Sequence, residues 1–293
     1  SPGYKKYFKG QIFPNESNLI DPIWNELPEH FDYARIIEII NAPNLYWRMP
    51  NYLGKSKFKK TDIVNGARVD RAKLEESSYT NTIKLSKGII ENNEVYFIDN
   101  RQHLLYLKLI LKDKPNYHFY FRDKIWVLTN KNIINKNLLE LKLFNNLQAN
   151  LLPYYNEKNI KYNLDDGYQG VGWKKTDNGI ATRGYLSSLM FSLNQNSCKK
   201  STLLNVKFNK KFKEYSKFDI KTNISVNKTH IKQIDFKKHN SNIFTIEIPC
   251  NKNDINYLIE FEMLNVTSLR DSSQHLNPQK LGFEILNIKL ANQ

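Results

Sequence analysis

Apolar and polar positions change rhythm part-way along the chain, and the change predicts two kinds of unit. In the second half, six runs mostly alternate apolar with polar residues: Ser187 to Leu193, Leu203 to Phe208, Phe218 to Val226, Ile243 to Ile248, Tyr257 to Glu262 and Leu281 to Leu290. Alternation of period two puts one face of each run on a core and the other outward. Six such runs, separated by polar, turn-prone loops, predict an antiparallel β-sandwich of jelly-roll type, beginning near Ile160.

The first half has a different grammar. Pro14, Pro22 and Pro28 among polar residues mark the first thirty or so positions as an extended lead-in. A strand is expected over Ala34 to Ile40, closed by Asn41-Ala-Pro43, and a second over Thr61 to Asp70, ending in a turn. Glu75 to Leu85 has helical character, with Gly88 as its stop. Glu94 to Ile98 is of strand type, and Gln102 to Leu111 has helical spacing. Asn116 to Leu128 reads as one strand, or as two around a turn at Arg122-Asp123. Asn132 to Leu152 reads as a helix or irregular connector leading to a boundary near Pro153. The predicted class is therefore α+β: a mixed α/β domain over residues 1–153, then a sandwich over 154–293. A length of 293 residues suits two such cores.

Composition adds three constraints. No stretch approaches the roughly 20 apolar residues of a bilayer-spanning helix, and no apolar run follows the polar opening Ser1-Pro-Gly-Tyr-Lys-Lys. A soluble chain is expected, and a start at Ser1 instead of Met suggests a piece of something longer. The formal charge of +15 favours anionic partners, although the excess is nearly all lysine and accompanies heavy Asn and Ile use, as an AT-rich coding bias produces. The pairs Lys59-Lys60, Lys174-Lys175, Lys199-Lys200, Lys210-Lys211 and Lys237-Lys238 are dispersed along the sequence, which suits a solvated surface better than a nucleic-acid groove. Cys198 and Cys250 stand far apart without metal-ligand spacing; they read as buried free thiols, or as one disulfide if the domain is extracytoplasmic.

Candidate chemistry is sparse. No phosphate-cradling Gly-rich loop, paired histidine motif or nucleophile elbow occurs, so no cofactor and no metal is expected. Asp165-Asp166 precedes Gly167 and fits a turn better than an acid/base pair. Arg68 and Asp70, at the end of an expected strand, are candidates for catalysis: Arg68 can clamp a phosphate or carboxylate and Asp70 can orient it. The same two residues can equally tie a loop to the sheet. Tyr168 and Trp173, on a Gly-rich approach to the sandwich, are candidates for carbohydrate binding, because a flat ring can stack on a sugar face; core packing is the alternative for Trp173.

One set of residues has a familiar shape: Gly172-Trp173, Asp177-Asn-Gly179 and Arg183-Gly184, then Arg270-Asp271 and, after a gap, Lys280-Leu-Gly282 before the last strand. This resembles the extracytoplasmic β-sandwich at the C-terminal end of bacterial multi-spanning membrane glycosyltransferases and phosphoglycerol-type transferases. Lys280 stands where that family usually has Arg. Asn65 to Asp70 and Lys87 to Phe97 are similar to the α/β segment that precedes the sandwich in some of these proteins. The resemblance implies a domain on the extracytoplasmic, periplasmic face of a bacterial envelope, tethered by transmembrane helices outside this chain. There it would position a glycan or lipid-linked acceptor beside an anionic membrane surface, with the transferase chemistry elsewhere in the protein. Two rivals remain: an autonomous α/β hydrolase or transferase acting on surface glycans through Arg68 and Asp70, and a basic nucleic-acid-binding protein.

Overall fold

The computed structural model describes residues 31–36, 60–61, 71–91, 93–98, 101–111, 114, 116–122, 125–131, 139–140, 154–155, 169–193, 200–210, 220–250, 256–268 and 278–292. The chain falls into two compact units, Ser1–Leu104 with Ile110–Lys142, and Leu105–Leu109 with Leu143–Gln293.

In the first unit the strands are β1 (Tyr33–Ile36), β2 (Lys60–Thr61), β3 (Glu94–Ile98), β4 (His118–Arg122), β5 (Ile125–Thr129) and β6 (Leu139–Glu140); the helices are α1 (Arg71–Ser86) and α2 (Arg101–Leu111), whose Leu105–Leu109 stretch groups with the second unit. The sheet order is β2-β1-β3-β5-β4-β6, with β1 parallel to β2 and β3 and the remaining pairs antiparallel. All five residues of β3 are buried, as a central strand covered on both faces requires. Helix α1 stops where Gly88 takes φ +69°: the Gly88 N–H donates to Leu85 O (2.8 Å) and the Ile89 N–H to Lys84 O (3.2 Å), the paired bonds of a Schellman cap. The two-strand reading of Asn116 to Leu128 is the observed one. Where a helix or irregular connector was expected at 132–152, Leu139–Glu140 pair with β4 as a short strand; most of that segment lies outside the described residues.

The second unit contributes β7 (Tyr154–Tyr155), β8 (Trp173–Lys175), β9 (Ile180–Arg183), β10 (Leu186–Leu193), β11 (Ser201–Phe208), β12 (Lys221–Val226), β13 (Thr229–Asp235), β14 (Ile243–Pro249), β15 (Asn256–Met263) and β16 (Leu281–Asn292). They form two five-stranded sheets, β13-β12-β15-β10-β7 and β14-β11-β16-β9-β8, antiparallel throughout except where β7 meets β10. The core between them gathers alternate residues from both sheets, among them Leu189, Ile224, Ile259 and Phe261 from one and Leu204, Val206, Phe244 and Ile288 from the other. Each of the six alternating runs contains a strand here, that of Phe218 to Val226 over Lys221–Val226. The short β8 and β9 carry too few residues for a period, and β13 is a mostly exposed edge strand, so its apolar signal is weak. Its presence is nonetheless written in the two-residue turn Asn227-Lys228: both residues have positive φ (47° and 69°), the primed hairpin geometry that Asn favours.

The edge between the sheets is closed by a lysine. Lys232 on β13 reaches over the Phe244 ring (5.9 Å) and donates its ammonium to the Thr245 carbonyl oxygen on β14. Burial holds that ammonium below its ordinary pKa. An otherwise open strand edge is thereby blunted.

Cys250 is disulfide-bonded, which corrects the reading of the cysteines as free thiols; the one other cysteine in the sequence, Cys198, lies outside the described residues. Closing a loop of that separation stabilises by about 4 kcal/mol on the chain-entropy model. Thiol titration of the denatured, unreduced chain is expected to find no free thiol, and two after reduction. Two thiols without reductant would contradict the bond.

Candidate functional site

Arg68, Asp70 and Tyr168 lie outside the described residues. Trp173 is in the sandwich core, 7% exposed, its edge toward Phe261 (6.0 Å, 76°) and its Nε1–H donated to Ser188 O at 2.7 Å. The burial that satisfies the indole N–H leaves no open ring face for a sugar, so core packing is the role this structure gives it. Among the described residues no group of three or more His, Cys, Asp or Glu is placed to hold a metal.

The densest buried charge cluster is in the first unit. Tyr33, Arg35, Glu94 and Tyr96 share one face of the β1–β3 pair. Glu94, 1% exposed, accepts from Arg35 Nε (2.5 Å), Lys84 Nζ (2.9 Å) and the Tyr96 hydroxyl (2.7 Å), while Arg35 also donates to Asn81 Oδ1 (3.2 Å). Burial pushes this carboxyl up, and the bonds from Lys84, Tyr96 and Arg35 with the Arg35 charge outweigh it, leaving the pKa below the ordinary value. A carboxylate with every lone-pair direction occupied is a strut between helix and sheet, not a base awaiting a proton. Lys108 of α2 is also buried, with no hydrogen-bond partner among the described residues, and burial lowers its pKa to about 7. At 6% exposure its amine is sealed from any substrate.

Of the residues that carry the family resemblance, Gly172 to Gly184 and Lys280 to Gly282 come together at the β8–β9–β16 corner of the sandwich, while Arg270 and Asp271 lie outside the described residues. Their glycines are there for close approach. A Cβ on Gly172 (φ +78°) would sit 1.9 Å from Leu186 O, and one on Gly179 2.0 Å from Ile285 O. Gly184 (φ +80°) donates its N–H to Lys280 O at 2.8 Å. Lys280, in the place of an Arg, donates to the Tyr185 hydroxyl (2.6 Å) with its ammonium 4.8 Å from that ring's centre. The motif is thus a packing signature of this corner.

Solvent-facing geometry is more informative. On the sheet containing β10 and β15, the outward residues Ser188, Met190, Leu258 and Glu260 are all buried. On the opposite sheet the outward side of β14, β11 and β16 is open. Registers place Thr245, Asn205 and Lys289 in one row across the three strands and Ile243, Lys207 and Asn287 in the next. Lys207 and Lys289 are exposed; Asn205, Thr245 and Asn287 are half-buried. Thr245 Oγ1 donates to Asn205 Oδ1 (2.7 Å), and Asn287 Oδ1 is buried with no hydrogen-bond partner among the described residues. None of these residues stands out in the sequence, because each is only the polar member of an alternating run.

The same face ends in a loop cluster held by Glu284, 1% exposed. Its carboxylate accepts from Thr176 Oγ1 (2.5 Å) in the β8–β9 turn and from Asn209 Nδ2 (2.6 Å) after β11, and its carbonyl accepts the Asn209 N–H (2.9 Å). The β13–β14 connection joins them: Phe208 N–H donates to Asn242 O (2.9 Å), and the Lys210 ammonium donates to Asn240 O. Beneath lie stacked rings, Phe236 on Phe283 at 4.5 Å and Phe208 edge-on to Phe236 at 4.9 Å.

No protein-family model matches this chain, and no curated protein does. Among solved structures it is similar to a family 35 carbohydrate-binding module from an environmental isolate (17% identity, 46% of this chain, 82% of that one, TM-score 0.25). A family 35 module from Clostridium thermocellum is similar too (15%, 46% and 88%, TM-score 0.24), as is an insecticidal delta-endotoxin of Bacillus thuringiensis (11%, 62% and 31%, TM-score 0.30). At such scores these likenesses carry no argument about the ligand; the β-sandwich rests on the strand pairing itself.

Glu94→Gln is expected to lower unfolding stability at pH 7 by about 3 kcal/mol, because the buried charge that Arg35 and Lys84 both meet is removed. The Glu94 pKa is depressed in the fold, so its contribution is present above the unfolded carboxylate pKa and is lost as pH falls through the folded one. Denaturant titration of wild type and variant from pH 7 to pH 3 is expected to show the gap closing toward acid; a gap that does not change with pH would contradict this.

Proposed function

We propose that this chain is the extracytoplasmic, glycan-positioning part of a bacterial membrane-bound glycosyltransferase or related glycan-modifying transferase, and that its sandwich holds the glycan on the open outer face of β14, β11 and β16. The observation that carries the proposal is the contrast between the sandwich's two outer faces. One is buried along its central strands; the other presents amides, a hydroxyl and ammonium groups in rows. Side chains in a row along a strand stand about 7 Å apart and neighbouring strands about 5 Å apart, so the rows offer hydrogen bonds at two repeats to a polyhydroxylated chain. The grid is fixed by strand pairing, so little ordering entropy is lost on binding.

One further observation supports the placement outside the cytoplasm: the disulfide of Cys250 is of a kind that persists in oxidising compartments. The transferase part of the reading rests on the resemblance of Gly172-Trp173, Asp177-Asn-Gly179, Arg183-Gly184 and Lys280-Leu-Gly282 to the envelope transferases. Arg68 and Asp70, on which the hydrolase reading rests, lie outside the described residues, and the proposal places the transferase chemistry in another part of the protein.

Calorimetric titration of the chain against a panel of bacterial surface polysaccharides is expected to find at least one ligand. Asn205→Ala with Asn287→Ala is expected to weaken that ligand at least tenfold while the melting temperature moves by a few degrees or less. Binding unaffected by the double variant would move the site elsewhere, and a folded chain that binds no glycan would remove the proposal.

A further inference from the structure

Lysines that are dispersed along the sequence converge in the fold. Glu284 ties the β8–β9 turn to the segment after β11, and the latter is bonded to the β13–β14 connection at Asn240 and Asn242. These three segments carry Lys175, Lys210, Lys237 and Lys238, all exposed, with exposed Lys207 as the last outward residue of β11. Members of three of the five lysine pairs, from positions more than sixty residues apart, therefore share one end of the sandwich. Among the described residues the acids of this end are Glu284, which is buried and bonded to Thr176 and Asn209, Asp235, which accepts the Lys237 and Lys238 backbone N–H groups (3.1 and 3.4 Å) with Lys221 at 3.9 Å, and exposed Asp177.

We infer that this lysine end recognises the phosphate or carboxylate groups of an anionic glycan that lies along the β14–β11–β16 face. The inference rests on the glycan reading above and narrows it to negatively charged polymers. Position carries the argument. Lys207 sits in the same row as Asn287, so the hydrogen-bonding grid runs directly into the charged end. A polymer on the grid reaches the lysines, whereas a flat bilayer surface touching the loop end alone would leave the grid unused. The turn segments are braced from beneath by the Phe208, Phe236 and Phe283 rings, so the charges are held where chain segments meet. Ammonium groups on four-carbon stems make point-charge contacts to phosphate or carboxylate without needing the planar fork of arginine.

The full chain is tested against a poly(glycerol phosphate) glycan, polygalacturonate, a neutral glucan, vesicles containing phosphatidylglycerol and a single-stranded oligonucleotide, at low and physiological salt. The charge-removing triple K210Q/K237Q/K238Q is compared with K73Q/K87Q/K131Q, which removes three exposed lysines from the first unit. The expected result is binding to an anionic glycan that salt weakens, at least tenfold loss in the first triple and less than twofold in the second. A neutral glucan bound as tightly as the anionic ones overturns the inference and leaves glycan binding standing. Equal loss in both triples, or tighter binding to vesicles or oligonucleotide than to any glycan, also overturns it. Failure to bind every glycan, with the fold intact by circular dichroism, removes the broader reading as well.

Discussion

A carboxylate taken out of water has to be met by donors, and Glu284 is met by Thr176 and Asn209 from two otherwise separate loops. This constraint organises the end of the sandwich. Because Glu284 stands on β16, the strand between β11 and β9, the demand of one buried charge sets where the β8–β9 turn and the chain after β11 must run. Phe283 next to it delivers a ring to the aromatic cluster under the β13–β14 connection. Glu284 therefore acts with its neighbour as both a polar strut and an apolar anchor. Hydrogen bonds to an ionised group contribute about 1.5–3 kcal/mol each, enough to hold loops that no regular ladder fixes. The lysines follow these loops, so the charge of the surface is a consequence of the buried acid below it.

Much of the fold is legible in the residues because burial on one face leaves a period. Val206 and Ile288, like Ile246, alternate with polar neighbours, and their strands are found where the alternation predicts. Gly88 ends α1 because an αL position after a helix favours glycine. What escapes is what has no period. Three residues of β8 and four of β9 are too few, and β13 has lost its alternation to exposure at an edge.

The site was less legible, for a related reason. A sheet surface that binds is written as the polar half of an alternating strand, and Asn205 or Asn287 looks the same in sequence whether it meets water or a ligand. Trp173, which stands out as an aromatic beside glycines, belongs to the core because its N–H has a buried carbonyl to satisfy. The glycines that mark the closing motif answer to backbone approach within 2.0 Å of an added Cβ at Gly172 and Gly179, so a pattern associated with function is produced by packing. The lysine pairs mislead in the opposite direction: separated along the chain, they share one surface because strand order in the sheet is not sequence order.

The proposed glycan site is the outer face of β14, β11 and β16. Backbone amide shifts of the isotope-labelled chain, followed by NMR during titration with a bound polysaccharide, test this placement. The largest changes are expected at Asn205, Lys207, Thr245, Asn287 and Lys289, with small ones along β10 and β15. Changes centred on β10 and β15, or confined to the first unit, would contradict it.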